Sequence, residues 1–402
     1  MINKKYRSGN SKIKSDFYVE YIPRETSGIK ISTNLRSQSL YGNKLNEICN
    51  KVCSDLKIKN GEFTIIDNGG QYFTLQARIE SVIKDAWPKI SSESLPKLQS
   101  HSLYESNKDR FRRSRLYLPG NQAKLMLNAG IHKPDGIILD LEDSVSPSEK
   151  QSARFIARNA LRHLDFFGSE RMVRINQGEL GLKDLKAVIP QNVHLILVPK
   201  VEASEDLVEV DKQIIQISKK CGRKEPVYLM PILESAKGIL NAFEIASSTK
   251  NNVALAIGLE DYTADIGVER SIEGKESLFA RSQLINAARS ANIQAIDTVF
   301  SDVSDEVSLR SSTKAAKELG FDGKGCIHPR QIKPIHEEFS PSTSQIQRAK
   351  DIVLAFDDAQ KQGLGVVSLG NKMIDPPVVK RSQKTIQIAI SMKLIPETWK
   401  KS

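Results

Sequence analysis

Four cysteines in 402 residues are too few and too scattered to build a disulfide framework. Cys221 and Cys326 stand alone, and Cys49 and Cys53, four apart, read as small buried apolar groups on one helical face. A reducing compartment, the cytoplasm, is expected. The longest clean apolar stretches, such as VALAIGL at 253–259, fall far short of the roughly 20 residues a bilayer-spanning helix needs. No membrane span is expected. The six histidines form no spaced ligand pair and no CxxC occurs, which disfavours zinc. A lysine-bearing phosphate loop and a GxSxG elbow are also missing. GLGVVS at 363–368 lacks the third glycine of a dinucleotide loop and follows a helix-like segment, so it reads as a turn. The opening MINKKYRSGNSKIKSDF is basic and carries serines, but it has neither an amphipathic apolar face nor a secretory apolar core. A targeting role is not expected of it.

What the chain does have is positive charge: 59 Lys and Arg against 48 Asp and Glu, a formal net of +11. These residues are dispersed, with no aromatic-interleaved basic stripe, so an anionic substrate, carrier or partner is expected rather than nucleic acid. With 39% hydrophobic residues the chain can fill one large core and one small one.

The texture changes twice along the chain. In residues 1–88, FYVEYIP (17–23), IKISTNL (29–35) and GEFTIID (61–67) alternate as strands do, while LYGNKLNEICNKVCSDLKI (40–58) and the face Leu75, Ile79, Val82, Ile83 have helical spacing. That is a small α+β unit. Residues 89–112 are rich in Ser, Pro and charge without periodicity and read as a linker. From 113 to 402, eight short apolar runs alternate with amphipathic segments: RLYLPG, GIILDLED, MVRINQ, LILVPKVE, VYLMPILES, VALAIGLED, AIDTVFSD and GKGCIHP. Eight strand-helix units predict an α/β fold of the (β/α)8 TIM-barrel type, with a doubly wound open sheet as the competing architecture.

Barrel strands open at their carboxyl ends on the face that carries chemistry. Polar residues collect there: Asp140, Glu142 and Asp143; Arg174 and Asn176; Lys200; Glu234; Glu260 and Asp261; Asp297 and Asp302; and His328. Carboxylates without paired histidines suit a hard cation such as Mg²⁺ with retained waters. Arg174 and Arg115 offer forked donors for carboxylate groups, so a metal beside them suggests an α-keto or α-hydroxy acid. A purely structural ion-pair network is the competing reading of the same residues.

RSRLYLPG, ILDLEDSV, MVRIN, LVPKVE, ILESAKGI, IGLEDYTADIGVERS, AIDTVFSD, LGFDGKGCIHPRQI and GLGVVSLGNKMIDPPVV follow one another from residue 113 to about 390. In that order they resemble the citrate lyase β-subunit family of HpcH/HpaI aldolases. The resemblance implies a barrel, a homotrimer or larger complex with an α-type transferase subunit, and Mg²⁺-dependent cleavage of citryl-acyl carrier protein to oxaloacetate and an acetyl thioester. By motif, Glu234 and Asp261 would hold the metal, with Glu260 a neighbour. Arg174 would hold the oxaloacetate portion, Arg115 and Lys200 would stand near the pocket, and Glu142 would organise water or these cations. Asp375 would be the acid/base, delivered by a neighbouring subunit's C-terminal segment. A free malyl-, citramalyl- or citryl-CoA thioester is an alternative substrate, and a non-catalytic scaffold an alternative role.

The N-terminal unit, most clearly in IIDNGGQYFTLQARIESVI (65–83), resembles the citrate lyase γ-subunit, an acyl carrier protein. That resemblance implies a covalent phosphoribosyl-dephospho-CoA arm on a serine in a Glu-Ser-x-Asp setting. Here KIKSDF places Lys14 two residues before Asp16. Ser15, or failing that Ser11, would accept the arm, or the unit is an unmodified docking module.

Overall fold

Strict alternation in FYVEYIP produces a strand whose odd side is buried. In the computed structural model, which describes residues 3–34, 38–271, 273–361, 367–369 and 372–401, β2 (Phe17–Pro23) buries Phe17, Val19 and Tyr21. It pairs antiparallel with β4 (Gly61–Asp67) in full register, Phe17 opposite Asp67. With β1 (Tyr6–Ser8) and β3 (Ile29–Asn34) the sheet order is β1-β2-β4-β3. Helices α1 (Gln38–Asp55) and α2 (Tyr72–Ala86) close it with Leu45, Val52, Leu75 and Ile79. Cys49 and Cys53 are buried and unbridged in this core.

The eight apolar runs become eight parallel strands: β5 (Ser114–Pro119), β6 (Gly136–Asp140), β7 (Glu170–Arg174), β8 (Leu195–Val198), β9 (Tyr228–Leu233), β10 (Ala254–Ile257), β11 (Gln294–Asp297) and β12 (Gly323–Cys326). They close on themselves, β12 pairing with β5. A strand buried on both faces tolerates little polarity, which is why the runs are short and nearly continuous. The barrel interior is filled by Ile138, Met172, Leu197, Met230, Ile232 and Ile296.

Residues 89–112 contain only the turn Ser100–Ser102, yet they are fastened at several points. Ser94 is fully buried, donating to Asp55 Oδ2 at 2.7 Å and accepting from Gln76 Nε2 at 2.9 Å. Arg112 forks onto Glu170 at 2.7 and 2.9 Å with both groups buried. The Tyr104 hydroxyl donates to the Ser169 carbonyl. Helix α3 (Lys150–His163), which follows β6, receives the small unit: the Arg158 guanidinium bonds Glu80 at 2.6 and 3.1 Å, and Asn159 donates to the Phe73 carbonyl.

His194, 2% exposed, sits in this strap: Nδ1 accepts from the Arg171 N–H at 3.2 Å, so Nε2 carries the proton given to the Tyr104 carbonyl at 2.9 Å. Burial, then Arg171, pushes its pKa down to about 3. A depressed folded-state pKa stabilises above the unfolded value near 6.5 and is lost as pH falls toward 3. We expect urea unfolding of the wild type to lose about 3–5 kcal/mol more between pH 6.5 and 3.5 than a His194→Gln variant does. Equal losses in the two proteins would remove His194 as the cause.

Residues 333–402 form a second compact unit. Helices α4 (Thr343–Lys361) and α5 (Pro376–Ser391) pack through Ile352, Phe356, Val379 and Ile386, with hairpin β13 (Val367–Leu369) and β14 (Lys372–Ile374). Of the turn expected at 363–368, residues 363–366 lie outside the described residues, and Val367 and Ser368 begin β13. Among the described residues no helix is long and apolar enough to cross a membrane.

Candidate active site

Where β6 ends, Asp140 turns back to the chain: it accepts from the Glu142 N–H at 3.0 Å and the Ser144 N–H at 3.3 Å. It also receives a two-pronged grip from Arg174 at the end of β7, Nε and Nη2 at 2.6 and 2.7 Å. The remaining nitrogen, Nη1, reaches Glu142 at 2.9 Å and Asp143 at 3.4 Å. Below it lies the ring of Tyr117, 5.5 Å from the guanidinium carbon. Burial would raise the Asp140 carboxyl's pKa, but Arg174 outweighs it and holds the group below its ordinary value.

Lys200, just past β8, adopts a left-handed φ of +53°, a conformation that costs a non-glycine residue of the order of 1 kcal/mol. The twist aims its N–H at Glu234 Oε2, 3.0 Å away, while its ammonium lies 2.9 Å from Glu142 and 3.2 Å from Asp143. It stands 3.9 Å from Asp261. Burial pushes Glu142 upward and its contact with Asp143 adds to this; Lys150 pins the same loop by donating to the Leu141 and Glu142 carbonyls.

Glu234 ends β9 and is buried; Asp261 stands in the first turn after β10 and is half exposed. Burial first, and the Asp261 charge second, push the Glu234 carboxyl up to about 8. A buried carboxylate held protonated by burial and a neighbouring acid is one whose ionised form a divalent cation would stabilise. The fit is close: a Cβ on Gly258 would stand 2.4 Å from Glu234 Oε1, so that position leaves room for the carboxylate. Among the described residues no group of three or more His, Cys, Asp or Glu is placed to hold a metal. Two carboxylates with water and substrate oxygens completing the shell suit Mg²⁺.

Arg115, Arg174, Glu234 and Asp261 line one pocket of about 600 Å³. Glu142 and Lys200 join it through the ion pairs above. Glu260 also lines it and pairs with Arg270 at 2.6 Å. Other strand-end residues are committed elsewhere: Asn176 to Asp184, Asp302 to Ser304, and His328 to the Arg330 N–H. Asp297 pairs with Lys324 and Arg281. Asp375 belongs to the second unit and caps α5, accepting from the Val378 N–H at 3.2 Å. Ser15 lies in a smaller cleft with Lys14, Asn121, Gln122 and Lys124. Sequence reading missed Tyr117, Lys150 and Gly258; only Lys150 had a signal, in the EK that follows LDLEDSV.

The sequence profile described as HpcH/HpaI aldolase/citrate lyase matches residues 113–329. Citrate lyase subunit beta of Haemophilus influenzae is 41% identical over 285 residues, covering 70% of this chain and 98% of that protein. The mitochondrial citramalyl-CoA lyase of Homo sapiens is 33% identical over 297 residues, covering 70% and 86%. Protein CitE of Mycobacterium tuberculosis, solved in complex with magnesium, acetoacetate and coenzyme A, superposes with a TM-score of 0.59 at 26% identity, covering 70% of this chain and 99% of that one.

Proposed function

Because the chain belongs to the HpcH/HpaI aldolase/citrate lyase family and is a lyase of it, we propose that it cleaves a citryl thioester to oxaloacetate and an acetyl thioester in the cytoplasm. The observation that carries this reading is the Glu234 and Asp261 pair set beside Arg174 and Lys200 at the open end of the barrel. Glu234 and Asp261 would hold Mg²⁺, which when bound lowers the pKa of the substrate hydroxyl and stabilises the developing oxo acid. That a relative was solved with magnesium and coenzyme A supports the use of magnesium in this reading.

The chain's own groups do the rest. Asp140 fixes the Arg174 plane through two nitrogens, so Nη1 is the nitrogen left to exchange Glu142 for a substrate carboxylate. Lys200 neutralises Glu142 at 2.9 Å, which lessens the repulsion an anionic substrate meets there. The substrate hydroxyl gives up its proton to water at the open pocket, and as the carbon–carbon bond breaks that oxygen becomes the carbonyl of the oxo acid while the electron pair of the bond goes to the acetyl thioester as an enolate. Asp375, from the C-terminal segment of a neighbouring copy in a homotrimer, would give that carbon its proton and remove it in the reverse direction.

Asp375→Asn tests the acid/base role cleanly, because asparagine caps a helix as well as aspartate does. We expect the variant to bind Mn²⁺ as the wild type does and to turn over about 100- to 10,000-fold more slowly. Wild-type turnover would reject the assignment.

In the same reading the N-terminal unit is a carrier whose Ser15 bears a phosphoribosyl-dephospho-CoA arm, and the complex includes an α-type transferase subunit. Gln122 supports this: it lines both the Ser15 cleft and the main pocket, so an arm on Ser15 starts at the barrel entrance. The similarity to citramalyl-CoA lyases favours a second reading, action on a free CoA thioester. Intact mass of the protein from its native host, with peptide mapping of residues 1–36, separates them. An added arm on Ser15 or Ser11 selects the carrier; an unmodified mass with turnover of citryl-CoA selects the free thioester.

A further inference from the structure

Arg115 is a cation without a counter-charge. It projects from β5 into the barrel, 1% exposed, and forms part of the floor of the main pocket. Its Nη1 faces the Met230 sulfur at 2.9 Å, Nη2 reaches only the Asp297 carbonyl at 3.5 Å, and Nε has no partner among the described residues. The nearby Asp297 carboxylate is already taken, by Lys324 at 2.9 Å and Arg281 at 3.0 Å. Three buried or nearly buried cations therefore share one carboxylate at this end of the pocket. Burial lowers the Arg115 pKa, the direction expected of a guanidinium that nothing compensates.

Such a group costs stability unless it is used. Its register neighbours are Gly136 on one side and Gly325 on the other, and the room those glycines leave is taken by Met172 and Val299, so no acidic side chain stands beside it there. Its situation differs from that of the cations at the entrance, where Asp140 holds Arg174 and Glu142 and Asp143 hold Lys200. Arg115 is the forked donor with nothing yet in the fork. Glu234 and Asp261 stand elsewhere around the same cavity, so a free carboxylate entering it is drawn to the floor and away from them.

We infer that Arg115 is the specificity-determining residue of this pocket, binding a second carboxylate on the acyl half of the substrate, so that the 2-oxo acid released is a dicarboxylate. This rests on the lyase reading above. A substrate carrying methyl or hydrogen in place of that carboxylate leaves Arg115 buried and unpaired, and a site built around a buried polar group rejects an analogue that lacks its partner.

The test uses the full chain with MgCl₂ and two probe acids, freshly prepared oxaloacetate and pyruvate, titrated by calorimetry, together with kcat/KM for citryl-CoA and citramalyl-CoA. Wild type is expected to bind oxaloacetate about 100-fold more tightly than pyruvate. In Arg115→Met that ratio, and the ratio of kcat/KM between the two thioesters, should collapse toward one, while Arg115→Lys retains part of both. Without ligand, Arg115→Met should unfold at a higher temperature than wild type, which also establishes that it is folded. Equal binding of both acids by wild type, or an equal loss for both in Arg115→Met, overturns the role of Arg115 and leaves the lyase reading standing. A wild type that binds neither acid and cleaves neither thioester removes the lyase reading and this inference with it.

Discussion

Glutamine in place of Glu234 is expected to weaken Mn²⁺ binding about 10- to 100-fold and to lower turnover about 1,000-fold, with little change in folding. The side chain keeps its volume, so the space opened by Gly258 stays filled, and the amide oxygen still accepts from the Lys200 N–H. What disappears is a charge on a buried wall. Burial and Asp261 make that charge hard to sustain alone, which is the condition under which a divalent cation gains most from two ionised neighbours. Without ligand the variant should therefore be as stable as the wild type or more so. The direct measurement is Mn²⁺ titration followed by electron paramagnetic resonance without substrate, alongside steady-state rates. Unchanged Mn²⁺ affinity with turnover within threefold of wild type would mean the metal, if used, sits elsewhere.

The barrel was legible because a parallel strand covered on both faces must read as a short apolar run, and seven of the eight runs, all but the first, end at or within three residues of a charged residue or histidine. The position of Glu234, Asp261 and Arg174 on one pocket follows from that same rule. Which polar residues remain free to act does not follow. Asn176 and Asp297 have the same placement as Arg174, yet a helix residue, Asp184, claims the first, and Lys324 with Arg281 claims the second. Those partners lie eight residues away in one case and 16 or 27 in the other, so no local spacing announces them. Burial of charge on α3 was equally hidden. ARFIARNALRHL has the periodicity of a helix with one wet face, and only the docked N-terminal unit reveals that Arg158 has no water to meet.

That docking leads to a large expected loss of stability. Arg158 and Glu80 are both fully buried, and besides each other they meet Lys84, Ser94 and the ring of Phe155, with Glu93 at the edge. Arg158→Met fills the space but leaves Glu80 with one lysine at 2.9 Å and one N–H at 3.3 Å. Breaking a buried pair by removing one partner costs about 3–5 kcal/mol, whereas removing both costs far less because no desolvated charge is stranded. Lys84 recovers part of the charge, so about 3 kcal/mol is expected from the single variant. Glu80→Gln with Arg158→Met should regain most of it. Urea unfolding of the four proteins in this cycle gives the coupling energy directly. If the double variant is as unstable as Arg158→Met, the loss comes from packing around Phe155, and the ion pair is incidental. If it recovers, the loss in Arg158→Met is that of the stranded Glu80 charge, and the contact with α3 survives on its packing once both charges are gone. The same helix begins at Lys150, which pins the carbonyls of Leu141 and Glu142, so loosening the contact should also blunt turnover, by raising KM for the anionic substrate more than lowering kcat.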